Sequence, residues 1–176
     1  MLMSAAKSTL VLVDFQKRLM PAIDNADSVA ERALTLASIA GLLDIPIIGT
    51  EQTPEKLGPN DDRFYQHCQQ TLHKSTFDAC ESGLLNAIED HRTQIIIGGC
   101  EAHICVLQTA MGLLDAGFRV WVVADAVGAR QPGNRELALQ RLRQQGADIV
   151  STEMVAFEWL GNAEHPQFRN ALAHIK

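Results

Sequence analysis

The chain has 176 residues, 47% of them apolar and 20% charged, which suits one globular domain over residues 1–176 that buries about 70% of its unfolded surface without a disulfide or metal staple. Fifteen Lys and Arg against 21 Asp and Glu leave a net charge of −6, and this argues against a nucleic-acid partner, whose phosphates need a basic face. No run approaches the roughly 18 apolar residues of a membrane span, and the first residues lack a signal-peptide pattern, so a cytoplasmic protein with no membrane partner is expected.

Residues 9–13 form a nearly continuous apolar strand that ends at Asp14. Residues 26–43 then repeat apolar side chains at Val29, Ala33, Leu36, Ala37, Ala40 and Leu43, the three-and-four spacing of a helix. Residues 45–49 read as a second strand, with Pro46 at its start, where a missing N–H is tolerated. Residues 51–70 are polar, contain Pro54, Gly58 and Pro59, and read as a surface loop with a short helix around Phe64 and Tyr65. Residues 71–74 suit a short edge strand. Residues 83–91 read as a helix, 94–98 as a buried strand, and 103–116 as a helix with Val106, Leu107, Ala110, Leu113 and Leu114 on its apolar side. The next strand is 119–124. Asn134 is the expected N-cap of a helix running to Gln145, with Gly146 just past its end. Ile149 and Val150 begin the last strand, and helices near 153–160 and 167–175 follow.

Strands apolar on both faces, alternating with amphipathic helices, point to a three-layer α/β/α, doubly wound fold around a mostly parallel six-stranded sheet. Such sheets bind ligands beyond the carboxyl ends of their strands, where strand order reverses. For the order 3-2-1-4-5-6 that point lies between the first and fourth strands. Chemistry is therefore expected just after Val13 and just after Gly98. A nucleotide-binding glycine loop is excluded at the first position, which reads Asp14-Phe15-Gln16-Lys17 rather than GxGxxG.

Asp14 at the end of an apolar strand suits either a base of raised basicity or a capping, ion-paired carboxylate. After Gly98 the chain reads Gly99-Cys100-Glu101-Ala102-His103-Ile104-Cys105. Cys105 falls in the first turn of the expected helix, where amide dipoles favour a thiolate and first-turn N–H groups can serve as an oxyanion hole. A small buried hydrophobe is the other reading of a lone cysteine, and it is the better one for Cys100, Cys68 and Cys80. The four cysteines contain no CxxC pair, which speaks against a disulfide framework and a zinc site. Lys74, ending the expected edge strand, is either an ordinary solvated lysine or a cation set beside Asp14 and a thiolate. His103 stands two residues from Cys105, a spacing that does not face it on a helix, and is expected to shape the pocket. His67, His91, His165 and His174 read as surface residues, and Asp125 with Arg130 as an ion pair at the rim.

Together these residues make the sequence resemble the isochorismatase-like hydrolase family, the cysteine hydrolases that include nicotinamidases and N-carbamoyl amidases. The resemblance rests on Leu-Val-Asp-Phe-Gln at 12–16, His-Lys-Ser-Thr-Phe at 73–77 and Gly-Gly-Cys-Glu-Ala-His-Ile-Cys-Val at 98–106. Val-Ala-Asp-Ala-Val at 123–127 and Arg-Leu-Arg-Gln-Gln-Gly at 141–146 extend it over nearly the whole chain. Thr-Glu-Gln-Thr-Pro at 50–54 and Val-Ala-Phe-Glu-Trp-Leu at 155–160 look most like the small isochorismatase domain-containing branch.

The resemblance implies a triad of Asp14, Lys74 and Cys105, with Cys105 attacking a carbonyl carbon, Asp14 taking and returning the proton, and Lys74 stabilising the ionised pair. It also implies a cis peptide joining Cys100 and Glu101, and an oxyanion hole from the amides of Glu101 or Ala102 with that of Cys105. Phe15, Gln16, Leu19, Glu51, Gln52 and Ile104 are the expected pocket walls. Nicotinamidases carry an Asp-x-His metal motif after the second strand; this chain has Thr50-Glu51-Gln52 there and no His until His67, so neither a metal nor another cofactor is expected. Isochorismatases that cleave a vinyl ether lack the nucleophilic cysteine, which is present here. The expectation is a metal-independent hydrolase of a C–N bond in a small amide, ureide or carbamoyl compound, working as a homo-oligomer (dimer or tetramer). The alternative is a non-catalytic ligand-binding or interaction protein on the same scaffold.

Overall fold

The apolar runs become six strands: β1 (Ser8–Val13), β2 (Ile47–Gln52), β3 (Gln70–Lys74), β4 (Gln94–Cys100), β5 (Arg119–Gly128) and β6 (Asp148–Val150). In the computed structural model, which describes residues 1–176, they pair all parallel in the order β3-β2-β1-β4-β5-β6. That is the order expected from the sequence, and it sets β1 beside β4 at the reversal point. The helices are α1 (Ala26–Leu42), α2 (Pro54–Leu57), α3 (Asp62–Tyr65), α4 (Leu84–Ala87), α5 (Leu107–Asp115), α6 (Pro132–Gln144), α7 (Thr152–Leu160) and α8 (Phe168–Ile175).

Side chains alternate across each strand, and the sheet therefore feeds two cores. Leu10, Leu12, Ile47, Ile96, Trp121 and Val123 pack with α1, α7 and α8 on one face. Val11, Val13, Ile48, Ile95, Ile97, Val120 and Val122 pack with α5 and α6 on the other. With both faces covered, every residue of β1, β2 and β4 is buried, whereas in the edge strand β3 only Lys74 is.

Several elements differ from the expectation. β2 starts two residues later and runs three further, so Pro46 precedes it and Thr50, Glu51 and Gln52 are strand rather than loop. The extension is held by pairing with β3 as far as Gln52 against Lys74. β4 reaches Cys100, and β5 reaches Gly128 through a bulge, where its register to β4 jumps between Ile97 and Gly99. Arg135 of α6 donates to the carbonyls of Ala124 and Val127 there, satisfying backbone groups that the jump frees. The helix expected over 83–91 is a single turn, because Ile88 turns extended and Arg92 is drawn away to the carbonyls of Ala5 and Ser8. Asn134 is not an N-cap: α6 starts at Pro132 with Gln131 before it, an arrangement that uses proline's fixed φ. Gly146 does take the left-handed position after α6, with φ 99°.

Candidate active site

The carboxyl ends of β1, β2 and β3 and the segment after β4 meet on one rim of the sheet. Asp14 leaves β1 in a left-handed conformation, φ 53°, which Asp tolerates better than most residues, and its amide donates to the Thr50 carbonyl at 3.2 Å. Thr50 Oγ1 donates to Asp14 Oδ1 at 2.6 Å and Lys74 Nζ donates to Oδ2 at 2.8 Å. Both side chains of the Asp14–Lys74 pair are 0% exposed. Lys74 Nζ also donates to Gln52 Oε1 at 2.7 Å. A Cβ at Gly99 would fall on the Val13 carbonyl, so glycine there is what lets β4 lie against β1 beside the site.

Cys105 comes from the segment that follows β4. Residues Ala102–Val106 form a π-helical turn rather than the first turn of a regular α-helix, and α5 begins only at Leu107. The Cys100–Glu101 peptide bond before it is cis. The amides of Ile104 and Val106 donate to the Glu101 carbonyl, so the hydrogen bonds from this turn back to Glu101 do not use the amide of Cys105. The Cys105 thiol, buried on the α5 side of the sheet, donates to Gln52 Oε1 at 3.7 Å. Burial pushes this thiol up to about 12, the Asp14 carboxylate reinforces the shift and the Lys74 ammonium opposes it. The thiol is therefore not the lowered one expected from the sequence: burial is the largest influence on it and favours the protonated form.

The arrangement is a protonated thiol beside a sealed carboxylate–ammonium pair. A nucleophile of that kind reacts only when a base takes its proton during attack. The family model of the Isochorismatase domain matches residues 8–154. The chain belongs to the isochorismatase family. It is 34% identical over 172 residues to Isochorismatase domain-containing protein 2A of Mus musculus, covering 96% of this chain and 82% of that protein. It is 33% identical over 177 residues to the secreted isochorismatase effector Isc1 of Phytophthora sojae, covering 96% and 84%. The structure of a MAR1 ribonuclease from Caenorhabditis elegans superposes with a TM-score of 0.95 at 29% identity, covering 99% of this chain and 92% of that one. Isochorismatase-family membership places the chain on a hydrolase fold, and no helix is long and apolar enough to cross a membrane.

The structure divides the residues expected around the isochorismatase-family site. Asp14, Lys74, Cys105 and Gln52 converge. Ile104 is half-buried against the α5-side core next to Cys105. Phe15 lies instead inside the α1-side core, stacked on Phe64 with ring centroids 4.1 Å apart, and Leu19 packs against that core. Gln16 bridges the Gln52 backbone, donating to its carbonyl at 3.0 Å and accepting from its amide at 2.8 Å. Glu51 points to the opposite face, where Oε1 accepts from the Asn60 amide and Oε2 lies 3.0 Å from His73 Nε2. No three His, Cys, Asp or Glu side chains stand together as a metal would need.

Cys100 is sealed on the α1 side, with Sγ 3.8 Å from Met20 Sδ. Glu101 binds Arg130, at 2.9 Å to its amide and 3.0 Å to Nε, and Ala102 is buried at the start of the turn. The Asp125–Arg130 pair expected from the sequence does not form: Asp125 accepts from the amide and hydroxyl of Thr152, and Arg130 belongs to Glu101. His103 Nε2 is 3.4 Å from Asn134 Nδ2, and its Nδ1 is buried without a partner. Thr50 was missed. The one sequence signal for it is the two-residue spacing from Gln52, which puts both on the site's face once the strand is known to continue.

Proposed function

We propose that this chain is a metal-independent cysteine hydrolase that cleaves the C–N bond of a small amide, ureide or carbamoyl compound through Cys105, Asp14 and Lys74. The observation that carries the reading is the sealed Asp14–Lys74 pair set beside a buried thiol, a nucleophile with a base and a cation from three separate elements. Cys105 Sγ attacks the carbonyl carbon while its proton passes to Asp14. The oxyanion forms against the amides of Glu101 or Ala102 and Cys105. Asp14 then gives the proton to the leaving nitrogen, the C–N bond breaks, and water drawn onto Asp14 hydrolyses the thioester left on Cys105. Lys74 stabilises the carboxylate before each proton transfer and the developing negative charge on sulfur during it.

The net charge of −6 supports a small-molecule substrate over a nucleic acid. Four free cysteines support a cytoplasmic setting. Exposed Phe77 and Leu85 support a homo-oligomer. The raised thiol is the one observation that favours a non-catalytic binding protein instead. Slow alkylation of Cys105 does not separate the two readings, because a hydrolase whose thiol stays protonated until attack also alkylates slowly.

Turnover separates them. A panel of small amides, ureides and carbamoyl compounds is followed by ammonia release with the native chain and Cys105→Ala. Release from at least one compound, lost by about a thousandfold or more in the variant, is expected. Release that persists in Cys105→Ala, or none from any compound, overturns the hydrolase.

A further inference from the structure

Gln52 is tied down at both ends of its side-chain amide. Nε2 donates to the Ser75 carbonyl at 2.8 Å and to Thr53 Oγ1 at 3.3 Å. Those bonds fix the orientation, because a flipped amide would set its oxygen against the Ser75 carbonyl and its NH2 against the Lys74 ammonium. Oε1 is therefore an acceptor held in one place, 2.7 Å from Lys74 Nζ and 3.7 Å from Cys105 Sγ. The backbone beneath it is clamped by Gln16 on one side and by β3 pairing on the other. Each oxygen of Asp14 already has its own donor, from Thr50 and from Lys74.

We infer that Gln52 is a positioning residue that keeps this site latent: its fixed carbonyl oxygen holds the Lys74 ammonium against Asp14 and gives the Cys105 thiol proton a resting acceptor other than the base. The thiol then stays protonated until a substrate displaces the contact. The ionisable groups around the thiol are few. Asp14 faces it from the end of β1 and Lys74 from β3. On its own segment Glu101 is tied to Arg130, and His103 turns to the neutral Asn134 of α6. Of these neighbours, Gln52 alone is both uncharged and bonded to thiol and ammonium together.

The inference rests on Cys105 being the nucleophile, yet its test needs no substrate. Iodoacetamide alkylation of the full chain is followed from pH 7 to 10 by the mass of the peptide carrying Cys105 after cleavage at Glu101, which parts it from Cys100, so that the other three cysteines do not contribute. Gln52→Met keeps the length of the side chain but removes the acceptor, freeing Lys74 for the thiolate; alkylation about three- to tenfold faster than native at a given pH is expected. Gln52→Glu keeps the shape and adds a negative charge beside the sulfur, and alkylation slower by a similar factor is expected.

A residue that merely packs would leave the Met variant at the native rate, whereas the added carboxylate slows alkylation in either case. A Met variant no faster than native, or a Glu variant no slower, overturns the inference. If Gln52→Met does not fold, Gln52→Leu, which also removes the acceptor, takes its place. Should Cys105→Ala keep its turnover while the two alkylation profiles still diverge, the hydrolase reading falls and with it the latency of the site, while the hold of Gln52 on the thiol and the ammonium stands.

Discussion

Strand β2 sends polar side chains to both faces of the sheet, and the two clusters they enter are built differently. Thr50 and Gln52 turn to the α5 side and hold Asp14, Lys74 and Cys105. Glu51, between them, turns the other way and holds Asn60 and His73. The first cluster seals both of its charges. The second seals only one, since the Glu51 side chain is 3% exposed and that of His73 is 64% exposed. An ion pair with one partner in water is screened and contributes little. A pair sealed on both sides is no more stable than a well-packed apolar replacement, but becomes severely destabilising once a single partner is removed. The fold needs no ionic pair at the end of β1. Keeping one there, with a donor on each carboxylate oxygen, fits a site prepared for chemistry.

The sharpest way to break this contrast is to remove one cation from each face. Lys74→Met leaves the Asp14 carboxylate buried with Thr50 as its only side-chain donor. A loss of about 3–5 kcal/mol in urea unfolding is expected, with much of it recovered when Asp14→Asn is added. His73→Gln, on the other face, is expected to change stability by less than about 1 kcal/mol. Equal losses from the two substitutions would show that sealing does not distinguish the clusters.

A smaller effect tests how the sealed side is satisfied. Thr50→Val keeps the shape of the side chain and removes the hydroxyl at 2.6 Å from Asp14 Oδ1. Leaving that oxygen without its side-chain donor is expected to destabilise by about 1–3 kcal/mol. Ammonia release by the variant should fall as well, since Asp14 would no longer be held facing the thiol. Unchanged stability would mean that Lys74 alone orders the carboxylate.

Much of this was legible beforehand, and the misses have physical causes. The parallel sheet and its order followed from strands apolar on both faces, since burial leaves a continuous apolar run. Asp14, Lys74 and Cys105 stood out because each interrupts such a pattern at a strand end or a turn start. Thr50 did not, and Glu51 and Gln52, though expected at the pocket, read as loop because they open a polar stretch. They are strand only because β3 pairs with them and the two clusters satisfy their side chains. Phe15 and Gln16 are expected at the pocket walls, but the left-handed turn at Asp14 sends Phe15 onto Phe64 and Gln16 onto the β2 backbone. The π turn at 102–106 leaves no mark in composition. Neither does the pairing of Arg130 with Glu101 instead of Asp125, which depends on how far β5 runs before α6 begins.

The thiols supply the smallest and most even-handed test, because each face of the sheet holds one beside its polar cluster. Cys105 on the α5 side is pushed up to about 12 by burial and by Asp14. Cys68, whose Sγ lies near Gly49 beside Glu51, is pushed up to about 11 by burial and then by Glu51. Below the ordinary thiol value of 9.0, folded and unfolded chains both keep these protons and neither thiol affects stability. Above it the unfolded chain releases them while the folded chain does not. Stability therefore falls as pH rises, until the folded thiol ionises too, near 11 for Cys68 and near 12 for Cys105. Urea unfolding at pH 8 and pH 10 is expected to show each of Cys105→Ala and Cys68→Ala losing up to about 1 kcal/mol less than the native chain over that interval. Similar relief on the two faces would assign the raised thiols to burial, which the faces share. Relief from Cys68→Ala alone would mean that the Lys74 ammonium offsets the burial of Cys105, and that its proton is held less firmly than the sealed geometry implies.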